Sequence, residues 1–195
     1  MTSIPFAGFI DFVLTSGIGR LTRAKQLKQE SGHTTDFYQP AREVFVHMHT
    51  KGLDTIVLDD LLASLVDPRE RRIFPKVVNG YKKFLRQGKM TWFEPPMRDY
   101  PLGSLSVRVD PELGLFINGR PHAIKLYFRG DPLSPQRAMV INQLLANAFQ
   151  TTWQGTVFAV LDVRRARLFP YRPKSEVGLL LKAEAASLAT LYAGL

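Results

Sequence analysis

Residues 109–128 read VDPELGLFINGRPHAIKLYF. Two strand-like runs flank Asn118-Gly119, the strongest short hairpin signal in the chain. A type I′ turn needs positive φ at both central residues, and Asn and Gly accept it. The spacing predicts a strand over 113–117 and a returning strand over 120–128. Pro121 has no N–H to give a ladder and belongs at the strand start or an edge. Alternation puts Ala123, Lys125 and Tyr127 on one face of the returning strand and His122, Ile124, Leu126 and Phe128 on the other, which is read as the core face. Asp110 and Glu112 stand just before the first strand. Beside Lys125 they pose a question: a metal-binding corner, or a hairpin whose charges only meet water.

The chain on either side sets the fold class. Upstream, SLSVRV at 104–109 is a strand and Asp-Pro-Glu a turn. Downstream, a loop at 130–134 leads into a helix from Pro135 to about Ala148, with Ser134 as N-cap and Ala138, Ile141, Leu144, Leu145 and Phe149 on one face. TVFAVLDV at 156–163 is a buried-type strand, RLFP at 167–170 pairs back on it, and a Leu/Ala-rich helix closes the chain over 175–193. The N-terminal half is helical. Phe6, Phe9, Ile10 and Val13 share a helical face. A basic, helix-compatible stretch covers 20–28 and a loop 31–36. Thr35 or Asp36 then caps a helix bearing Phe37, Ala41, Val44, Phe45 and Met48, which stops at Lys51-Gly52. Asp54 or Thr55 caps the run IVLDDLLASLV, and Asp67-Pro68 starts another helix. Pro75 is expected to break or kink that helix, leaving a separate one around 75–87. The sum is an α/β (α+β) fold: a small mixed sheet of four to five strands flanked by helices, with a helical N-terminal half. No linker forces a second domain. Residues 1–195 are read as one, with 1–90 mainly helical and 91–195 carrying the hairpin, helix, strand and closing helix.

Composition narrows the function classes. No apolar run is long enough for a membrane span, and MTSIPFAGFIDFVL lacks the leading positive charges of a secretory signal. The chain has no cysteine, hence no disulfide framework and no thiolate metal site, and a cytoplasmic location is expected. Against 17 acidic residues stand 26 Lys and Arg, a net charge of +9 with pI near 10.0, which points to a polyanionic partner, DNA or RNA. Three basic groups carry that charge. The densest holds Arg69, Arg71, Arg72, Lys76, Lys82, Lys83, Arg86 and Lys89, with Glu70 as the one acid among them and Tyr81, Trp92 and Phe93 interleaved or adjacent. Cations neutralise phosphates and exposed aromatics stack unpaired bases; alternatively the aromatics pack inward and the cations are merely wet. The other groups are Arg164, Arg165, Arg167, Arg172 and Lys174, and Arg20, Arg23, Lys25 and Lys28. Convergence of the three would outline a groove.

The order helix, three strands, helix, strand over residues 36–163 resembles the PD-(D/E)XK nuclease-like superfamily. In that family an acid starts the second strand, and a Glu or Gln sits two residues before a Lys on the third. Asp110 or Glu112 stands at the first position and Lys125 at the lysine, while Ala123 occupies the place of the Glu or Gln. The resemblance implies a site in which Asp110, Glu112 and, from an upstream helix, Glu43 hold Mg²⁺ while Lys125 orients water against a phosphodiester. The stretch 109–128 is also similar to a segment that recurs in uncharacterised bacterial proteins, a likeness that implies no activity.

Each candidate has a plainer reading. Asp before Pro favours a turn, so Asp110 and Glu112 are also simple turn residues, and Lys125 also fits a polar face, or a stem laid over apolar surface. His47 and His49 share a face only on a strand; on a helix they point about 200° apart. His122 is expected to pack at its strand start and His33 to lie in a loop. Zinc-binding HExxH, a nucleophile elbow and phosphate-loop fingerprints are absent from the sequence. The leading expectation is nucleic-acid binding on a nuclease-like core, with metal-dependent phosphodiester cleavage as the catalytic extension. The rival is a non-catalytic interaction or structural protein, whose apolar ends dock a partner or a second copy in a homodimer.

Overall fold

The computed structural model describes residues 2–29 and 36–195, apart from the side chain of Ser175. The loop expected at 31–36, the Thr35 cap and His33 thus fall, save for Asp36, outside the described residues. In chain order the elements are β1 (Thr2–Pro5), α1 (Phe6–Leu14), α2 (Gly19–Gln29), α3 (Gln39–Lys51), α4 (Ile56–Ser64), α5 (Pro68–Leu85), β2 (Met90–Trp92), β3 (Arg98–Leu102), β4 (Leu105–Val109), β5 (Leu113–Ile117), β6 (Arg120–Tyr127), α6 (Pro135–Phe149), β7 (Val157–Asp162), a single 3₁₀ turn η1 (Val163–Arg165), β8 (Arg167–Pro170) and α7 (Ser175–Gly194). The fold is mixed α/β. Among the described residues no helix is long and apolar enough to cross a membrane.

The hairpin forms as its sequence requires. Asn118 and Gly119 take φ of 51° and 82°, and β5 pairs antiparallel with β6 from Leu113–Ile124 to Ile117–Arg120. α6 then carries the chain over to β7, which lies parallel to β6. With β2 on one edge and β8 on the other, the large sheet has the order β2-β5-β6-β7-β8. Both of its faces are buried. Leu113, Leu115, Ile124, Leu126, Phe128, Ala159 and Leu161 meet α3, α4 and α5 in one core. Ala123, Tyr127, Phe158 and Val160 meet α1, α6 and α7 in the other. The face carrying Lys125, read as the polar one, is therefore interior.

The expected single sheet is in fact two. β4 does not join β5; it pairs with β1 in parallel and with β3 antiparallel, in a separate sheet of order β1-β4-β3. The connection Asp110-Pro111-Glu112 explains the parting, because Pro111 has no N–H and the Asp110 carbonyl accepts from Lys125 instead of from a ladder. β1, β2 and β3 are short strands that periodicity does not mark.

Pro75 does not end a helix. α5 runs through it as one element. A proline inside a helix costs roughly 3 kcal/mol, but the turns on either side bury Phe74, Val77, Val78, Tyr81 and Phe84, each side chain contributing about 1.5–3 kcal/mol. Three helix ends behave as read: Asp67 accepts from Arg69 N–H, Ser134 from Arg137 N–H, and Gly52 closes α3 in the left-handed conformation. The start of α3 does not, since its N-cap is Tyr38 rather than Asp36 and makes no side-chain cap bond, and Thr55 at the start of α4 makes none either.

Candidate functional site

Three elements bring Lys125, Asp110 and Glu112 together. Lys125 points from the middle of β6 toward α1, with its ammonium 5.0 Å from the centre of the Phe6 ring. Extending the β5–β6 register by one residue sets Glu112 opposite Lys125. Its Oε1 lies 2.9 Å from the Lys125 Nζ, and its Oε2 accepts from the Leu126 N–H at 2.9 Å. Glu112 thus continues, with a side chain, the ladder that Pro111 interrupts. Asp110, at the corner between the sheets, offers Nζ its carbonyl at 2.8 Å and Oδ1 at 3.0 Å. Burial works against the ammonium, but the Glu112 and Asp110 carboxylates outweigh it and hold the Lys125 pKa above its ordinary value.

A second cation closes the cluster. Arg42 of α3 donates from Nε to Glu112 Oε1 at 3.1 Å, pairs with Asp36 through a terminal nitrogen, and lies over the Phe128 ring. Beyond Lys125 a cavity of ≈170 Å³ opens between α1, α6 and the end of β6. Its charged lining is itself paired, since Asp11 binds Arg129 at 2.6 Å and Arg137 at 2.9 Å. Arg42 and Asp11 are unmarked in the sequence, because their partners Glu112, Arg129 and Arg137 lie 70 or more residues away and leave no periodic trace.

The donor set does not fit Mg²⁺. A hard divalent ion needs several free oxygens. Here the ammonium occupies the place of the ion, and both Glu112 oxygens are engaged. Glu43, expected as the third ligand, turns away and accepts from Gln39 on the exposed side of α3. Among the described residues no three His, Cys, Asp or Glu side chains are close enough to share a metal ion. An ammonium has three protons, and three oxygens surround Lys125, so it has none spare to orient water. The cluster is an internal ion network that fastens the corner between the sheets.

The basic groups separate into used and free cations. On α2, Arg20 pairs with Glu184 and Lys28 donates to the Tyr192 carbonyl, so this group ties α2 to α7. In the second group Arg164 donates to the Phe128 carbonyl and to the Tyr38 hydroxyl, Arg165 binds Asp162 and the Gly130 carbonyl, and Arg167 covers Phe169. α2 and α5 pack into cores on opposite faces of the large sheet, so the three groups do not line one groove.

The α5 group differs. Arg69, Arg72, Lys76, Asn79, Lys83 and Arg86 succeed each other at intervals of three and four, and all are exposed. That spacing makes one stripe along the outer side of the helix. Among the described residues no ion pair engages Arg69, Arg72, Lys76, Lys83, Arg86 or Lys89, whereas Lys82 pairs with Asp59 at 2.6 Å. Arg69 also lies over the Phe37 ring. Arg71 sits beside the stripe and donates to the Leu65 carbonyl, and Lys89 lies just past its end. Of the interleaved aromatics, Tyr81 is buried, Phe93 packs on Phe116 and Trp153, and Trp92 is half-buried.

No protein-family model, curated protein or solved structure matches the chain.

Proposed function

We propose that the protein binds the phosphate backbone of a nucleic acid along the outer stripe of α5. The observation that carries this reading is the contrast in pairing: Arg20, Lys28, Arg164, Arg165 and Arg167 of the other two groups are spent on carboxylates, carbonyls and rings, while among the described residues Arg72, Lys76, Lys83 and Arg86 of the stripe have no such partner and are aligned. At 1.5 Å rise per residue the stripe is about 25 Å long, enough to track several phosphates. A cysteine-free chain with such a surface suits the cytoplasm. Cleavage is not part of the reading, because Lys125 and Arg42 together engage the Asp110 and Glu112 carboxylates.

Fluorescence anisotropy with a labelled oligonucleotide at graded salt tests the proposal. Wild type should bind at low salt and weaken steeply as salt rises. The variant Arg72→Gln/Lys76→Gln/Lys83→Gln should lower the log–log salt slope by about 0.7–0.9 per lost phosphate contact. Lys82→Gln, which removes an already paired charge, should change it far less. Absence of binding at the lowest salt overturns the proposal.

A further inference from the structure

The stripe does not end in bare solvent. At its C-terminal end, where Arg86 caps α5 and Lys89 comes next, a cavity of ≈460 Å³ opens between the end of α3 and β2. Leu85 and Gly88 form its α5 side, Met90, Thr91 and Trp92 its β2 side, and His49, Asp54 and Thr55 its α3 side. The His49 and Trp92 rings are nearly parallel, at 16°, with centroids 6.4 Å apart. His49 Nε2 is held by the Tyr81 hydroxyl at 2.7 Å, and Tyr81 is itself stacked on Phe45. The imidazole is therefore fixed from behind, and no described hydrogen bond uses its Nδ1. Burial lowers the His49 pKa to about 4, so near neutrality the ring is uncharged. The chamber thus offers the Trp92 indole, a neutral imidazole edge, the Thr91 hydroxyl and the Asp54 carboxylate, whose Oδ1 already accepts from the Thr55 hydroxyl and the Ile56 N–H, beside unpaired cations.

We infer that this cavity receives an unpaired nucleobase, stacked on Trp92, from a single strand whose phosphates run along α5. Every base has a π-face, and a base edge needs the kind of donors and acceptors found here. A duplex keeps its bases paired and stacked, so only a single strand can place one in the chamber. The inference rests on the proposed α5 backbone contact and narrows its partner to single-stranded nucleic acid.

Trp92 and Trp153 are the two tryptophans of the chain, so Trp153→Phe leaves Trp92 as the sole indole reporter. Its emission should be quenched on titration with oligo-dT at low salt and stay unchanged with a blunt duplex. In anisotropy, Trp92→Ala should weaken oligo-dT binding by about 5- to 150-fold and leave duplex binding alone, and Trp92→Phe, which keeps a stacking face, should restore most of the loss. Trp92 also packs against the core, so the quenching experiment, which leaves it in place, decides should the alanine variant fail to fold. Salt-sensitive binding with no change in Trp92 emission and no loss in Trp92→Phe or Trp92→Ala removes the base pocket and spares the α5 contact. Absence of any binding removes both.

Discussion

Replacing Lys125 by methionine tests whether the ion network is structural. The Lys125 and Glu112 side chains are only 14% and 8% exposed, and Asp110 is 42% exposed. Without the ammonium, Glu112 keeps Arg42 and the Leu126 N–H, so its buried charge is only partly compensated. Breaking a buried pair from one side costs about 3–5 kcal/mol, and the remaining Arg42 contact sets the expectation for Lys125→Met near the lower end, about 3 kcal/mol. Asp110→Asn should cost under about 1 kcal/mol, because water screens that carboxylate. The double variant Lys125→Met/Glu112→Gln should lose less than the sum of its parts, with a coupling of about 1–3 kcal/mol. Urea unfolding with linear extrapolation measures each value. The pH dependence gives a second readout. The Lys125 pKa is raised in the folded protein above its ordinary 10.5, so its contribution is complete below that value and drains away as pH climbs through the folded one. Wild type should therefore lose more stability at alkaline pH than Lys125→Met, which keeps only the loss due to groups such as the Tyr81 and Tyr127 hydroxyls, whose pKa burial raises. A Lys125→Met protein as stable as wild type, or more so, refutes the reasoning; it would mark a desolvated charge retained for chemistry at a net cost.

Other expectations are independent of the network. Gly80 of α5 faces the backbone of η1 so closely that a Cβ would overlap the Val163 carbonyl oxygen and lie 2.8 Å from Arg164 Cα. Gly80→Ala should therefore lose about 1–3 kcal/mol in urea unfolding despite the better helix propensity of alanine; a stabilised variant contradicts that close approach. With a His49 pKa of about 4 when folded against 6.5 unfolded, the folded state binds the proton less readily, so stability should fall as pH drops from 6.5 toward 4, by up to about 3 kcal/mol. His49→Phe should flatten this acid limb, and an NMR titration placing His49 near 6.5 would count against it. Gly119 has φ of 82°, so Gly119→Ala should cost about 1 kcal/mol, seen as a lower thermal midpoint; no shift would argue against the turn geometry.

Elements set by local physics were legible in the sequence. Asn118-Gly119, Ser134-Pro135 and Asp67-Pro68 act over a few residues, and the hairpin and the starts of α6 and α5 stand where they indicate. The split into two sheets was not legible, because it depends on β1 meeting β4 and on a lysine taking the Asp110 carbonyl, and neither leaves a period. Pro75 misleads for a related reason: propensity speaks for the isolated helix, whereas Phe74, Val77 and Val78 speak for the core. In the candidate site, Asp110, Glu112 and Lys125 stand out in the sequence and do meet. What composition hides is Arg42 and the mutual neutralisation that it completes. The α5 stripe is visible as charge, but its distinction from the other two groups lies in what each cation touches.

The parallel pairing of Thr2 with Leu105 through Pro5 with Arg108 bears on how the chain is made. Synthesis delivers β1 and the adjoining Phe6, Phe9 and Phe12 long before β4 emerges to receive them. During that interval an aromatic arm, buried in the finished molecule, stands open to chaperones or to other nascent chains. Contacts so distant in sequence also form slowly, since a large loop must close before they repay its entropy. The seam that joins β1 to the central strand β4 of the small sheet is thus among the last to set, and it is where misassembly during production would begin.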